Sequence, residues 1–350
     1  MSTSRTMVTI DQVVAESSSR IPLISITRPS ANKGKAKAGK PWVDGPWPLI
    51  ETPSQTQPLS HTALHIANET AHVHNAMLRG LNALYLQAPF VREPADIADF
   101  MFLVQAWSGW VLDHHELKEG VMIPGFEAVL GLESGTLGFA STSRTLDRGE
   151  HGDKDDDGDN EKGTRDLPTL LRNVHSYAVA THAQPPSYSI STLQALLSSL
   201  ADVLVPHLHK QIDTLAQMRN LCLSPASSST SSSASSSHSH SHSHSHRPSR
   251  KNHKHVLEAQ AAADKATRLQ QIHLAAESNF SNNFDRYVVP PMLVRLRDVT
   301  YPGGSQWPQL TVPALHAVAD RLSGRHEGAW RFLPCDVWGR PRELPFASSI

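Results

Sequence analysis

The chain has 350 residues, with 32 Lys and Arg against 33 Asp and Glu, so its net charge is close to zero. That balance gives no electrostatic footprint for a nucleic-acid backbone. Two distant cysteines, Cys222 and Cys335, make no disulfide framework, and no run approaches the roughly 18 apolar residues of a membrane span.

The first residues lack a continuous apolar core for a secretory signal, and Asp11 and Glu16 argue against a mitochondrial leader. We therefore expect a cytoplasmic, reducing setting with no membrane or nucleic-acid partner. Residues 1–56 are rich in Ser, Lys, Gly and Pro and read as a disordered tail with an extended lead-in. Trp47 and Leu49 are placed to anchor that lead-in on a domain surface.

From His61 to Gln87, Leu64, Ala67, Ala71, His74, Leu78, Leu81 and Tyr85 recur at three- and four-residue spacing, which predicts a helix ended by Pro89. His74 lies on this apolar stripe and His72 lies off it. A second helix is predicted from Pro94 to Met122, with Pro124 beyond it. It is apolar nearly all round, the pattern of a buried helix.

Residues 134–166 are polar, acidic and Gly-containing and read as a disordered insertion. Asp153, Asp155, Asp157 and Gly158 match the first half of a calcium loop, but its twelfth position is Thr164 instead of a bidentate Glu. A solvated acidic loop is the plainer reading. A third helix is expected from Pro168 to Thr181, and a fourth from Ser191 to Arg219, kinked at Pro206.

Residues 221–255 form a low-complexity linker that contains alternating Ser and His from His238 to His246. Such a tract chelates metals weakly without forming a site. The remainder, 256–350, is expected as one more helix, Val256 to Ala276, and an irregular extension packed on the others. Arg325, Arg331, Arg340 and Arg342 lie among the aromatics of that extension, and Cys335 follows a proline there as a structural residue. No phosphate loop and no Ser-His-Asp or Cys-His pattern is present.

The 21 histidines are the unusual feature. His115 and Glu119 stand four apart, so one helical face carries an imidazole and a carboxylate that can converge on one metal ion. This spacing favours His115 over His114. On the fourth helix Leu193, Leu196, Leu200, Leu204 and His207 share a stripe that Gln211 continues, whereas His209 shares a face with Asp202 and is expected toward solvent. Each stripe histidine also has a plain reading as a hydrogen-bonded core residue.

The runs AHVHNAMLRGLNALYLQAPFV, DHHELKEGVMIPGFE and PHLHKQIDTL, with the tail HEGAWRFLPCDVWGRPREL, resemble the fungal branch of hemerythrin-like (HHE) cation-binding proteins. The resemblance covers 45–133, 166–218 and the tail from 284. It implies an all-α fold, an antiparallel four-helix bundle over 57–220, and a non-haem di-iron centre. The functions implied are oxygen, nitric oxide or redox sensing, or iron handling, and not necessarily catalysis. His74 matches the first-helix ligand, His115 and Glu119 the second-helix pair, and His207 the fourth-helix ligand.

Two departures reduce the implied centre. The third-helix His-x-x-x-His is missing, with His175 and His182 as the available substitutes, and Gln211 stands where the fourth-helix carboxylate belongs. A neutral amide cannot bridge two irons as a carboxylate does. The expected cofactor is therefore one iron, or another divalent ion, with two irons requiring ligands not found here. The alternative is a metal-free degenerate bundle that serves as a scaffold or protein-interaction module.

Overall fold

The computed structural model describes residues 44–138, 166–223 and 250–347. The calcium-like loop and the Ser-His tract lie outside them, as do residues 1–43 of the tail. The described residues are mainly helical and contain no strand, the only ladder element among them being an isolated bridge between Cys335 and Pro341. None of their helices is long and apolar enough to cross a membrane.

Helix α1, Thr62–Gln87, is buried on nearly every face. Its N-terminus is capped by the His61 ring, whose Nδ1 accepts the Ala63 N–H at 3.1 Å. Two asparagines on its outer side hold the lead-in. Asn82 pairs with both backbone groups of Trp47 (3.0 and 2.9 Å), and Asn75 with both of Ile50 (2.7 and 2.8 Å). Burying these amides costs little because each satisfies a backbone donor and acceptor that the segment would otherwise leave unpaired. The Trp47 indole meets Tyr85 edge-on at 5.0 Å, the anchoring role expected for it.

Helix α2, Pro94–Leu117, does not stop at Met122 ahead of Pro124 as the sequence suggested. It passes through a π-helical turn, Lys118–Met122, directly into α3, Ile123–Leu130. Pro124 is tolerated because it occupies the first turn of α3, where a missing N–H is least costly. Gly131, at φ 72°, closes α3 in the left-handed conformation that glycine adopts without a Cβ clash.

Helix α4 spans Leu167–Ala183 and α5 spans Ile190–Leu223, with Pro206 inside α5. α1 lies along α5, α2 along α4, and α4 also meets α5. Trp107 of α2 sits on Gly80 of α1, and its indole N–H donates to the Met77 carbonyl at 3.2 Å.

Helix α6, Arg250–Asn283, is longer at both ends than the apolar pattern indicated and packs across α1, α3 and α5 through Leu269, His273 and Ala276. The extension that follows contains α7, Val289–Leu296, and α8, Val312–Ala317. It is bound to the helices by side chains. Gln87 donates to the Phe332 carbonyl at 2.7 Å, Phe332 packs on Phe100 at 4.9 Å, and Arg331 pairs with Asp96 and Asp99 of α2. Arg79 is 4% exposed, with its guanidinium over the Tyr301 ring at 5.1 Å.

Candidate metal centre

α2 delivers His115 from its last turn and the π-helical turn delivers Glu119, while α5 delivers His207 immediately after Pro206. One nitrogen of each histidine and one oxygen of Glu119 all lie within 4.8 Å of one another. The His115 and His207 rings are 5.3 Å apart at 69°. Gln211, one turn beyond His207, donates its amide to Glu119 Oε1 at 3.4 Å. Beside them is a small cavity of about 10 Å³, walled by Met77, Val111, Leu204 and Leu208 as well as by the polar groups.

His74 stands outside that triad but next to it. Its Nδ1 lies 3.0 Å from the Leu208 carbonyl. A carbonyl only accepts, so Nδ1 carries the proton and Nε2 is left as a bare, buried lone pair with no hydrogen-bond partner among the described residues. A ring nitrogen donating to a backbone carbonyl while the other faces inward is the arrangement that fixes a metal-binding tautomer.

His114 points inward as well, which the spacing argument missed. It is 6% exposed, and its ring meets His74 edge-on at 5.7 Å. His115, favoured by spacing, is only half-buried. Because α2 is apolar on all sides, its periodicity cannot distinguish the two faces. His209 is half-buried with its Nε2 enclosed, instead of turned to solvent. His72, off the apolar stripe of α1, is 4% exposed because Trp307 of the extension stacks on it at 6.0 Å.

Neither third-helix substitute enters the centre. His175 Nδ1 lies 3.2 Å from the Gln105 carbonyl and 3.3 Å from Ser108 Oγ, and His182 Nδ1 lies 2.8 Å from the Ala98 carbonyl. Both are held against α2 away from the triad.

The second residue missed in sequence is Lys118. It is 1% exposed, lines the same small cavity, and donates to Thr70 Oγ1 at 2.9 Å. Burial lowers its pKa to about 8, opposed by the carboxylates of Glu277 and Glu119. Its spacing from His114, four residues, is the same as that of His115 from Glu119, which is the one signal the sequence offered.

Burial favours the neutral form of His74, His114, His115 and His207. His74 and His114 fall well below the ordinary value, chiefly by desolvation and then by the Lys118 charge. His207 is lowered to about 4 by burial and the neighbouring His115, and His115 itself is lowered by burial. Neutral imidazole is the form that binds metal, so no proton need be displaced near pH 7.

The donor set fits one divalent ion. Two imidazoles and one carboxylate leave coordination positions open, and the enclosed lone pair of His74 Nε2 lies near them. Two irons do not fit. Glu119 is the only carboxylate in the triad, Gln211 supplies no charge, and a buried ammonium already lines the cavity.

No family model matches the chain, and no solved structure matches it. A curated protein from Cryptosporiopsis sp. (strain 8999), named dimeric xanthone biosynthesis cluster protein R11, is similar at 25% identity over 311 residues, covering 88% of this chain and 94% of the relative.

Proposed function

We propose that the chain is a hemerythrin-like four-helix-bundle protein, built from α1, α2, α4 and α5, whose centre binds one divalent metal ion, iron foremost. The observation that carries this reading is the convergence of His115, Glu119 and His207, whose ligand atoms lie within 4.8 Å of one another. His74 supports them from the facing helix. A bound ion with open positions would supply a site for a small ligand such as oxygen or nitric oxide. The likeness to a protein of a dimeric xanthone biosynthesis cluster supports a place in a biosynthetic gene set over general oxygen carriage.

A second reading is favoured by one specific observation. Lys118 already puts a positive charge among these groups, paired electrostatically with Glu119 and Glu277. In that reading the ammonium occupies the place of a metal charge beside Glu119, and the fold serves as an interaction module.

Cobalt(II) loading of the full chain separates the two. The metal-binding reading expects ligand-field absorption bands that His115→Ala and His207→Ala each remove. The Ser-His tract contributes equally to all three proteins, so only the difference counts. Spectra unchanged by either substitution support the metal-free network.

A further inference from the structure

On the far side of His114 from the triad, two cavities adjoin between α1, α6 and the segment after α7. Both are walled by Val73, Glu277, Trp307 and Pro308. The inner one has a volume of about 150 Å³ and is lined by Trp110, Phe280, Phe284 and Leu293. The outer one, about 540 Å³, carries Glu69, Thr70 and His273.

The inner volume is the size of an apolar cavity that takes one aromatic ring, and the adjoining outer cavity leaves room for a second. Aromatic walls also provide the edge and face contacts that such rings prefer.

The outer cavity supplies acceptors. His273 is 7% exposed, lines this cavity, and its Nδ1 meets no hydrogen-bond partner among the described residues. Glu277 borders both cavities, and Glu69 is close enough to raise its own pKa further against it after burial has done so. The Glu277 carboxyl and the enclosed His273 nitrogen together favour a ligand that brings a hydrogen-bond donor. Burial pushes the Glu277 and Glu69 carboxyls up toward their neutral forms, and the Lys118 ammonium already offsets charge on Glu277, so a neutral donor suffices. A neutral hydroxyl is such a donor.

We propose that the paired cavities bind a neutral hydroxylated aromatic, a phenol or naphthol, with its ring between Trp110, Phe280 and Trp307 and its hydroxyl donating to Glu277 or His273. This site uses none of the triad residues and does not rest on the metal reading.

The test is calorimetric titration of the full chain with 2-naphthol and with naphthalene, chelator present throughout. Wild-type protein is expected to bind 2-naphthol saturably at one per chain, and naphthalene about tenfold more weakly, the value of one hydrogen bond. Ser281, half-exposed on α6, lines the inner cavity, so Ser281→Trp is expected to fill it and weaken both ligands. Glu277→Leu is expected to erase the preference for the hydroxylated ligand. Should Ser281→Trp fail to fold by circular dichroism, the wild-type contrast and Glu277→Leu still decide. Absence of saturable binding, or equal affinity for naphthol and naphthalene, overturns the assignment.

Discussion

Lys118 donates a hydrogen bond to Thr70 Oγ1 at 2.9 Å from a position that is 1% exposed, so a helix that delivers two metal-type ligands also delivers a cation between them. Residues 115, 118 and 119 follow one another within a single turn of α2 and its π-helical continuation. The ammonium would compete with a metal ion for Glu119 and would repel it through a poorly screened interior.

Replacing that charge is expected to strengthen the site. Lys118→Met keeps the length and apolar stem while removing the ammonium, and should tighten divalent-metal binding about tenfold or more, from the Coulomb energy of like charges at short range. Competition titration against a chromophoric chelator measures this. Unchanged or weaker binding would show that the ammonium does not oppose the metal.

Gln211→Glu tests the other departure. In the metal-free protein the new carboxylate would face Glu119 where an amide now donates at 3.4 Å, so the variant should unfold at lower urea concentration at pH 7. With a divalent ion present the order should reverse, because two carboxylates then share one cation. A variant indifferent to metal would place Gln211 outside the coordination shell.

The helices could be read from the sequence because their apolar positions recur at helical spacing, and three of the four candidate ligands, His115, Glu119 and His207, stand close together. His74 could be placed on an inward stripe but not given its separate role, since its Leu208 contact joins residues on different helices. The four-residue spacing from His114 was too little to single out Lys118. A lysine at a helix end normally snorkels to water, and only the covering α6, with Glu277, makes this one internal. The continuation through Pro124 was missed because proline reads as a stop unless the preceding turn has already changed its register. The extension has no period to read, being held by contacts such as Gln87 with Phe332 and Arg79 with Tyr301.

The seat of Trp107 on α1 depends on Gly80. A Cβ there would lie 2.4 Å from Trp107 Nε1, and Trp107 is itself 1% exposed. Gly80→Ala is expected to destabilise the fold by about 1–3 kcal/mol through overpacking, which exceeds the gain of about 1 kcal/mol from alanine's better helix propensity. Gly120→Ala, with nothing within 4 Å, is the control and should show no loss. Urea midpoints of the two variants make the comparison.

Two buried histidines outside the triad set an acid limit. His72, stacked on Trp307, and His273 are each lowered to about 4 from an ordinary value of 6.5, chiefly by burial. The unfolded chain therefore binds more protons than the folded one between these values. Stability is full above about pH 6.5, falls as the pH drops toward 4, and levels off below for these groups. His273→Gln should reduce the slope of unfolding free energy against pH in that window by about one proton, or 1.4 kcal/mol per pH unit. Urea unfolding across the window measures it, and an unchanged slope would mean that His273 is protonated within the fold.

The most direct test of the central claim is metal content by mass spectrometry on full-length protein purified without a tag, compared with His115→Ala prepared in parallel. Both carry the same Ser-His tract, so background binding cancels in the difference. Wild type is expected to hold about one more iron or other divalent ion per chain than the variant, as a two-imidazole, one-carboxylate site requires. Equal metal content in two equally folded proteins would contradict it.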